Sequence, residues 1–124
     1  DPERGSIIAV VATDAPLLPH QLKRLTRRVG LGMGRSGAIS GHGSGDLFLA
    51  FSTANKTAHQ NDDQLSTMQF IPDALLDPLF EAVIQAVDEA ILNAMVANEP
   101  MTGFKGAHVD ALPVTAIQAI LGLS

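Results

Sequence analysis

Apolar residues follow two kinds of pattern along this chain, short unbroken runs and stripes at helical spacing. The runs at residues 7–13 and 47–51 have the length and the β-branched or aromatic content of strands buried on both faces. Residues 66–71 alternate and predict a third, shorter strand. The glycine-rich stretch 35–46 and the polar stretch 56–64 carry no apolar periodicity and are predicted to be loops.

The first apolar stripe predicts a helix that starts at Pro19, because a proline in the first turn loses no helical hydrogen bond. Its apolar positions are Leu22, Leu25 and Val29. The glycines at positions 30, 32 and 34 each cost about 1 kcal/mol of helix propensity. We therefore expect the helix either to end there or to pack closely on a neighbour.

Two further stripes predict helices in the second half of the chain. One begins at an N-cap, Asp77, with Pro78 at the first helical position, and stops at Asn98 and Pro100. Its apolar positions are Phe80, Val83, Ile84, Val87, Ile91 and Met95. After a loop opened by two glycines, residues 113–121 predict a short closing helix. Its inward positions are Val114, Ile117 and Leu121. Strands interleaved with amphipathic helices indicate a layered α/β or α+β fold.

Composition narrows the classes of protein to which the chain could belong. It has 124 residues, 46% of them apolar and only 17% charged, as expected of one globular domain or one subunit. The net charge of −5 gives no electrostatic reason to expect a nucleic acid or an anionic membrane as partner. No apolar run approaches the roughly 20 residues that span a bilayer, so we expect a soluble protein.

Three smaller features qualify this picture. The basic residues Lys23, Arg24, Arg27 and Arg28 are interpreted as a solvated helix face. The absence of cysteine excludes disulfides and thiol nucleophiles, and leaves a cytoplasmic or a periplasmic location open. The start at residues 1–5, without an initiator Met or a signal pattern, suggests a piece of a longer gene product.

Candidate chemistry is concentrated near glycines. The string at residues 32–37 matches G-x-G-x-x-G, but it follows a helical stretch instead of a strand, which disfavours nucleotide binding. The histidines at 20, 42, 59 and 108 are too scattered to predict a metal site. His42, Ser44 and Asp46 alternate and would share one face of an extended segment. A catalytic triad requires convergence, so a plain polar turn remains the alternative.

The dipeptide Gly5-Ser6 lies at the entrance of the first predicted strand. Cleavage between these residues would give Ser6 a free α-amine with a pKa of about 7.7–8.0, close enough to neutrality to accept the hydroxyl proton. One residue would then supply both nucleophile and base. Spacing alone does not separate this interpretation from an ordinary Gly-Ser dipeptide.

Two long motifs favour the interpretation of Ser6 as a nucleophile released by cleavage. They read Gly-Ser-Ile-Ile-Ala-Val-Val-Ala-Thr-Asp-Ala-Pro-Leu-Leu-Pro-His-Gln-Leu and Gly-Ser-Gly-Asp-Leu-Phe-Leu-Ala-Phe-Ser-Thr-Ala-Asn. Together they cover much of residues 5–55 and closely resemble the small subunit of the DmpA/β-aminopeptidase family. The resemblance implies a precursor that cuts itself between Gly5 and Ser6. The new N-terminal Ser6 would then release N-terminal residues, β- or D-residues among them, from short peptides, amides or esters.

The resemblance also implies partners and roles. Ser44 and Asp46 would orient and tune Ser6, with Asp46 bonding Ser44 and Ser44 contacting Ser6, while His42 is incidental. Residues 1–5 would be a precursor linker or the end of a large subunit, and residues 6–124 the small catalytic subunit. The large subunit would carry the oxyanion donors, and no cofactor or metal is expected.

The family's fold is an α+β, four-layer αββα sandwich, often assembled as a tetramer of heterodimers. Two alternatives stay open at this point. One is an acyltransferase of the ornithine acetyltransferase type, whose nucleophile is Thr. The other is a non-catalytic, uncleaved binding or assembly module.

Overall fold

The computed structural model describes residues 5–56 and 63–122 of the chain. The predictions for residues 1–4, for His59 and for most of the polar loop at 56–64 lie outside the described residues. The chain divides into two units, Asp1–Asp88 and Glu89–Ser124.

Two parallel strands form the sheet of the first unit. Strand β1 comprises Ile8–Thr13 and strand β2 comprises Leu47–Ser52, which confirms both strands predicted from apolar runs. Ile8 lies opposite Leu47 and Thr13 lies opposite Ser52, so the register is an offset of 39 residues throughout. A constant register carries the pairing to the residues that precede both strands.

Helix α1, Pro19–Arg35, connects the two strands and packs against them. It runs through all three glycines, so the prediction that it might end there is wrong and the alternative of close packing is correct. A Cβ built on Gly32 would lie 2.7 Å from the Cβ of Val87 and 2.8 Å from the carbonyl oxygen of Ile84. Glycine at position 32 therefore allows α1 to approach its neighbour closely.

That neighbour is helix α2, Asp77–Ala97, which follows a short 3-10 turn at Asp73–Leu75. The predicted end before Asn98 is confirmed. Asp77 is the first helical residue instead of the cap, so its carboxylate lies in the first turn, where it opposes the positive end of the helix dipole.

The prediction of a third strand at residues 66–71 is wrong, because this segment pairs with no strand within the described part of the chain. It is held instead by side-chain hydrogen bonds and by one backbone bond, from the Ile71 amide to the Pro16 carbonyl at 3.0 Å. Asn55 donates from Nδ2 to the Gln69 carbonyl and accepts from the Gln69 amide, both at 3.0 Å. Gln21, which is buried, donates from Nε2 to the Ile71 carbonyl at 2.8 Å. Alternation marked an extended segment, but no partner strand is available to it among the described residues.

The apolar core of the first unit lies between the helices, and its fully buried members include Leu17, Leu25, Val29 and Leu76. The sheet contributes only one face to it. Burial along both strands alternates, and Ile8 and Leu47 are 74% and 63% exposed. The expectation of strands buried on both faces is thus not met within this chain. The large apolar residues of the exposed face are Ile8, Val10, Leu47, Leu49 and Phe51.

The basic residues of α1 divide into two pairs. Lys23 and Arg27 are exposed, as expected of a solvated face. The guanidinium groups of Arg24 and Arg28 lie 5.1 and 3.7 Å from the ring centroid of Phe80. For that second pair the interpretation as solvated charges is wrong, because the arginines pack α1 onto α2 through cation–π contacts.

The second unit contains a hairpin that the sequence did not predict. Strands β3, Met101–Thr102, and β4, His108–Val109, are antiparallel and enclose a 3-10 turn at Phe104–Gly106. Helix α3, Val114–Leu121, confirms the predicted closing helix. Its Val114 and Ile117 are half-buried, but Leu121 is 64% exposed, so its assignment as an inward residue is wrong. Over residues 5–56 and 63–122, no helix is long and apolar enough to cross a membrane.

Candidate active site

The parallel pairing of β1 and β2 brings residue 6 to residue 45, because both lie at the same offset just before the paired strands. The backbone amide of Gly45 donates a hydrogen bond to Ser6 Oγ at 3.0 Å. Ser6 is exposed, and so is Gly5, where an added Cβ would meet no other atom within 4 Å. The hydroxyl is thus held on one side and accessible on the other.

Asp46 is the centre of the polar contacts at this edge of the sheet. Its Oδ1 accepts a 2.5 Å hydrogen bond from Ser44 Oγ and a 3.1 Å bond from the backbone amide of Ile7. Ile7 in turn accepts a 3.0 Å bond at its carbonyl from the amide of Leu47. The carboxylate therefore continues the strand pairing for one residue beyond the regular ladder, up to the residue that follows Ser6.

These hydrogen bonds also set the charge state of the site. The bond from Ser44 is the largest cause that holds the pKa of Asp46 below its ordinary value of 3.8. Desolvation opposes it, and bonds from the Ile7 amide and the Ser40 hydroxyl add to the lowering. Since every donor favours the charged form, Asp46 is a carboxylate at neutral pH and can only accept.

The three alternating residues of the loop do not form a catalytic triad. The Ser44 hydroxyl donates to Asp46, and His42 is exposed and makes no hydrogen bond or ion pair with Ser6, Ser44 or Asp46. Among residues 5–56 and 63–122, no three histidine or acidic side chains converge in the way that metal ligands do. The arrangement suits a serine nucleophile that obtains its base from somewhere other than His42.

Two functional groups at the site were missed by the sequence-based prediction, and both are backbone amides. The sequence suggested that Ser44 would contact Ser6, yet the described contact to Ser6 Oγ comes from the Gly45 amide. The Ile7 amide was likewise not expected as a partner of Asp46. A parallel register aligned on Ile8 and Leu47 would have revealed both, but register is not readable from two apolar runs.

The chain matches one protein family and is similar to curated proteins. The family model described as peptidase family S58 matches residues 1–109. Among curated proteins, the chain is 48% identical over 120 residues to the β-peptidyl aminopeptidase BapA of Sphingosinicella microcystinivorans, covering 97% of this chain and 30% of that protein.

Among the solved structures that match over nearly the whole chain, two are named as aminopeptidases. The L-aminopeptidase D-Ala-esterase/amidase of Ochrobactrum anthropi, described as a prototype of the serine aminopeptidases and a variant of the Ntn hydrolase fold, is 42% identical. Its TM-score is 0.82, with coverage of 94% of this chain and 33% of that chain. A Burkholderia sp. β-aminopeptidase is 35% identical with a TM-score of 0.79, covering 100% of this chain and 36% of that chain. The chain therefore has the α+β fold of part of the Ntn hydrolase variant, and spans about a third of each relative.

Proposed function

This chain belongs to peptidase family S58, and from that premise we propose that it is the catalytic part of a self-processing aminopeptidase with Ser6 as nucleophile. The observation that carries the proposal is the joining of Ser6 to the loop at 44–46. Gly45 holds the Ser6 hydroxyl, while Asp46 holds both Ser44 and the amide that follows Ser6. Relatives named as aminopeptidases favour hydrolysis over the alternatives of acyl transfer or a non-catalytic module.

Self-cleavage is the first step of the proposed mechanism. Ser6 Oγ attacks the carbonyl carbon of Gly5, the bond from that carbon to Ser6 N breaks, and the hydroxyl proton ends on the departing nitrogen. Water then hydrolyses the ester between Gly5 and Ser6. The products are a carboxylate on Gly5 and a free α-amine on Ser6, which had no basicity while it was an amide.

Peptide hydrolysis uses the same hydroxyl with the new amine as its base. The α-amine takes the proton from Oγ as Oγ attacks the substrate carbonyl, and returns it to the leaving amine. Water resolves the acyl-enzyme. The proposed role of Ser44 and Asp46 is to orient and tune Ser6, and the low pKa of Asp46 keeps this support charged across the working pH range.

The remainder of the fold is proposed to come from a large subunit of the same precursor. The exposed apolar face of β1 and β2 supports this, because soluble proteins rarely leave a large contiguous apolar patch in water. A second sheet over that face would give the four-layer αββα sandwich. We further propose that residues 1–5 are a linker or the end of that subunit, that residues 6–124 form the small subunit, and that the heterodimers assemble into tetramers.

The test is made on the full-length precursor. Intact mass should show two fragments divided between Gly5 and Ser6, and native mass should show both fragments in one assembly. A panel of short substrates with α-, β-alanyl and D-alanyl N-termini would then define the substrate class. A precursor that stays whole and hydrolyses nothing in the panel would contradict the proposal.

A further inference from the structure

We propose, on the basis of the function argued above, that Gly45 is a positioning residue for Ser6, which holds the nucleophilic oxygen through its amide and must lack a side chain to do so. The backbone amide of Gly45 lies 3.0 Å from Ser6 Oγ. A Cβ built on Gly45 would lie 3.3 Å from the same oxygen, closer than an ordinary carbon–oxygen contact. The amide of Gly45 and the position that a Cβ would occupy thus both lie next to Ser6 Oγ.

The backbone conformation does not explain the glycine. The described glycines with a left-handed φ are Gly37, Gly106 and Gly122, and Gly45 is not one of them. A left-handed φ is therefore not the reason for glycine at position 45. Among the described residues other than its two chain neighbours, Ser6 Oγ is the one atom within 4 Å of a Cβ built at this position. The need for glycine arises from the nucleophile.

The hydrogen bond has a direct consequence for reactivity. A serine hydroxyl has one proton and two lone pairs. When the Gly45 amide occupies one lone pair of Ser6 Oγ, the other lone pair has a defined direction of attack and the proton remains available for transfer. The same amide can donate to Oγ when this oxygen leaves as the acyl-enzyme is hydrolysed, so the contact serves both halves of the reaction.

The decisive variant is Gly45→Ala in the full-length protein, with Gly30→Ala as the matched control. Gly30 also has an ordinary φ, and a Cβ there would meet nothing within 4 Å. Displacement of a reacting atom by 1 Å costs about 100-fold in rate, so a shift of a few tenths of an ångström should cost roughly 5- to 10-fold. We expect this loss in the rate of fragment formation and in kcat, with KM and the thermal midpoint unchanged.

The rates of the two variants and of the unmodified precursor distinguish a failure of this inference from a failure of the proposed function. If Gly45→Ala matures and hydrolyses as fast as Gly30→Ala, the inference is overturned while the proposed function stands. If the unmodified precursor neither splits nor hydrolyses, the proposed function fails instead. The contact between Gly45 and Ser6 is then still testable by hydrogen exchange.

Residue-resolved hydrogen exchange on full-length Ser6→Ala also decides the case in which Gly45→Ala is misfolded. Loss of Oγ should speed exchange of the Gly45 amide about 5-fold, the equivalent of one hydrogen bond. The Leu47 amide, which donates to the Ile7 carbonyl, is the internal control and should not change. An equal exchange rate of the Gly45 amide in Ser6→Ala and in the unmodified protein would overturn the inference.

Discussion

Asp46 accepts a 3.1 Å hydrogen bond from the backbone amide of Ile7, the residue directly after the proposed nucleophile. The same carboxylate oxygen accepts a 2.5 Å hydrogen bond from Ser44 Oγ. An aspartate is therefore long enough to reach both partners. It connects the residue before β1 to the residue before β2, beside the backbone hydrogen bond from the Leu47 amide to the Ile7 carbonyl.

Ser6→Ala in the full-length precursor should abolish both maturation and hydrolysis, because one hydroxyl attacks first the Gly5 carbonyl and later the substrate. The measurement is a denaturing gel together with a peptidase assay. Two fragments from this variant would show that another residue carries out the cleavage.

Ser44→Ala and Asp46→Asn should each lower the hydrolytic rate of the matured enzyme by about 100-fold or more, the lower range for lost proton-transfer assistance. The amide side chain introduced by Asp46→Asn keeps an oxygen for the Ile7 amide but loses the charge, so the thermal midpoint should move little. The double variant should be barely worse than either single one, because residues that act as a unit are not additive.

The control for that series is His42→Ala, since His42 is exposed and makes no hydrogen bond or ion pair with Ser6, Ser44 or Asp46. It should stay within a few-fold of the unmodified enzyme. Equal damage from His42→Ala and Ser44→Ala would mean that the roles assigned to the loop are wrong. If instead Ser44 is only part of a polar turn, its removal should cost about 1 kcal/mol of stability and leave the rate alone.

The hydrolytic rate should rise with pH through an apparent pKa at or below about 8, as the α-amine of Ser6 becomes the free base. Rates measured from about pH 5 to 9 on the matured enzyme test this. A flat profile over that range would require a base other than the amine.

Asp46 should make stability depend on pH in the acid range. Its pKa is lowered in the folded protein, so its contribution is present above the ordinary value of 3.8 and is lost as pH falls through the folded pKa. The thermal midpoint of the unmodified protein should thus exceed that of Asp46→Asn by a small margin at neutral pH. The difference should shrink below pH 3.8, and one that is constant with pH would contradict the assignment.

Gly32→Ala should destabilise the protein by about 1–3 kcal/mol, the usual cost of overpacking, because its Cβ would overlap Val87 and the Ile84 carbonyl. Gly30→Ala, two residues earlier on the same helix, has open space and should instead gain up to about 1 kcal/mol from helix propensity. Denaturant unfolding of both full-length variants measures the contrast. Equal effects would mean that α1 and α2 do not approach closely at Gly32.

Local patterns in the sequence were sufficient for most of the secondary structure. The apolar runs predicted β1 and β2, and the stripes with proline at their starts predicted α1, α2 and α3. They failed where an element depends on a distant partner. Residues 66–71 alternate like a strand, yet they are held by Asn55 and Gln21 instead of a neighbouring strand. The hairpin at 101–109 has strands of two residues, too short to leave a period.

For the site, the motifs around Ser6, Ser44 and Asp46 predicted the candidate residues and the family before any geometry was known. Their contacts depend on the register of β1 against β2, which the packing of the whole sheet decides. That register places the Gly45 amide on Ser6 and the Asp46 carboxylate on Ile7. The sequence by itself thus determines which side chains are available for chemistry. The backbone amides of Ile7 and Gly45 make their hydrogen bonds to Asp46 and Ser6 only when residues 39 positions apart come together in the fold.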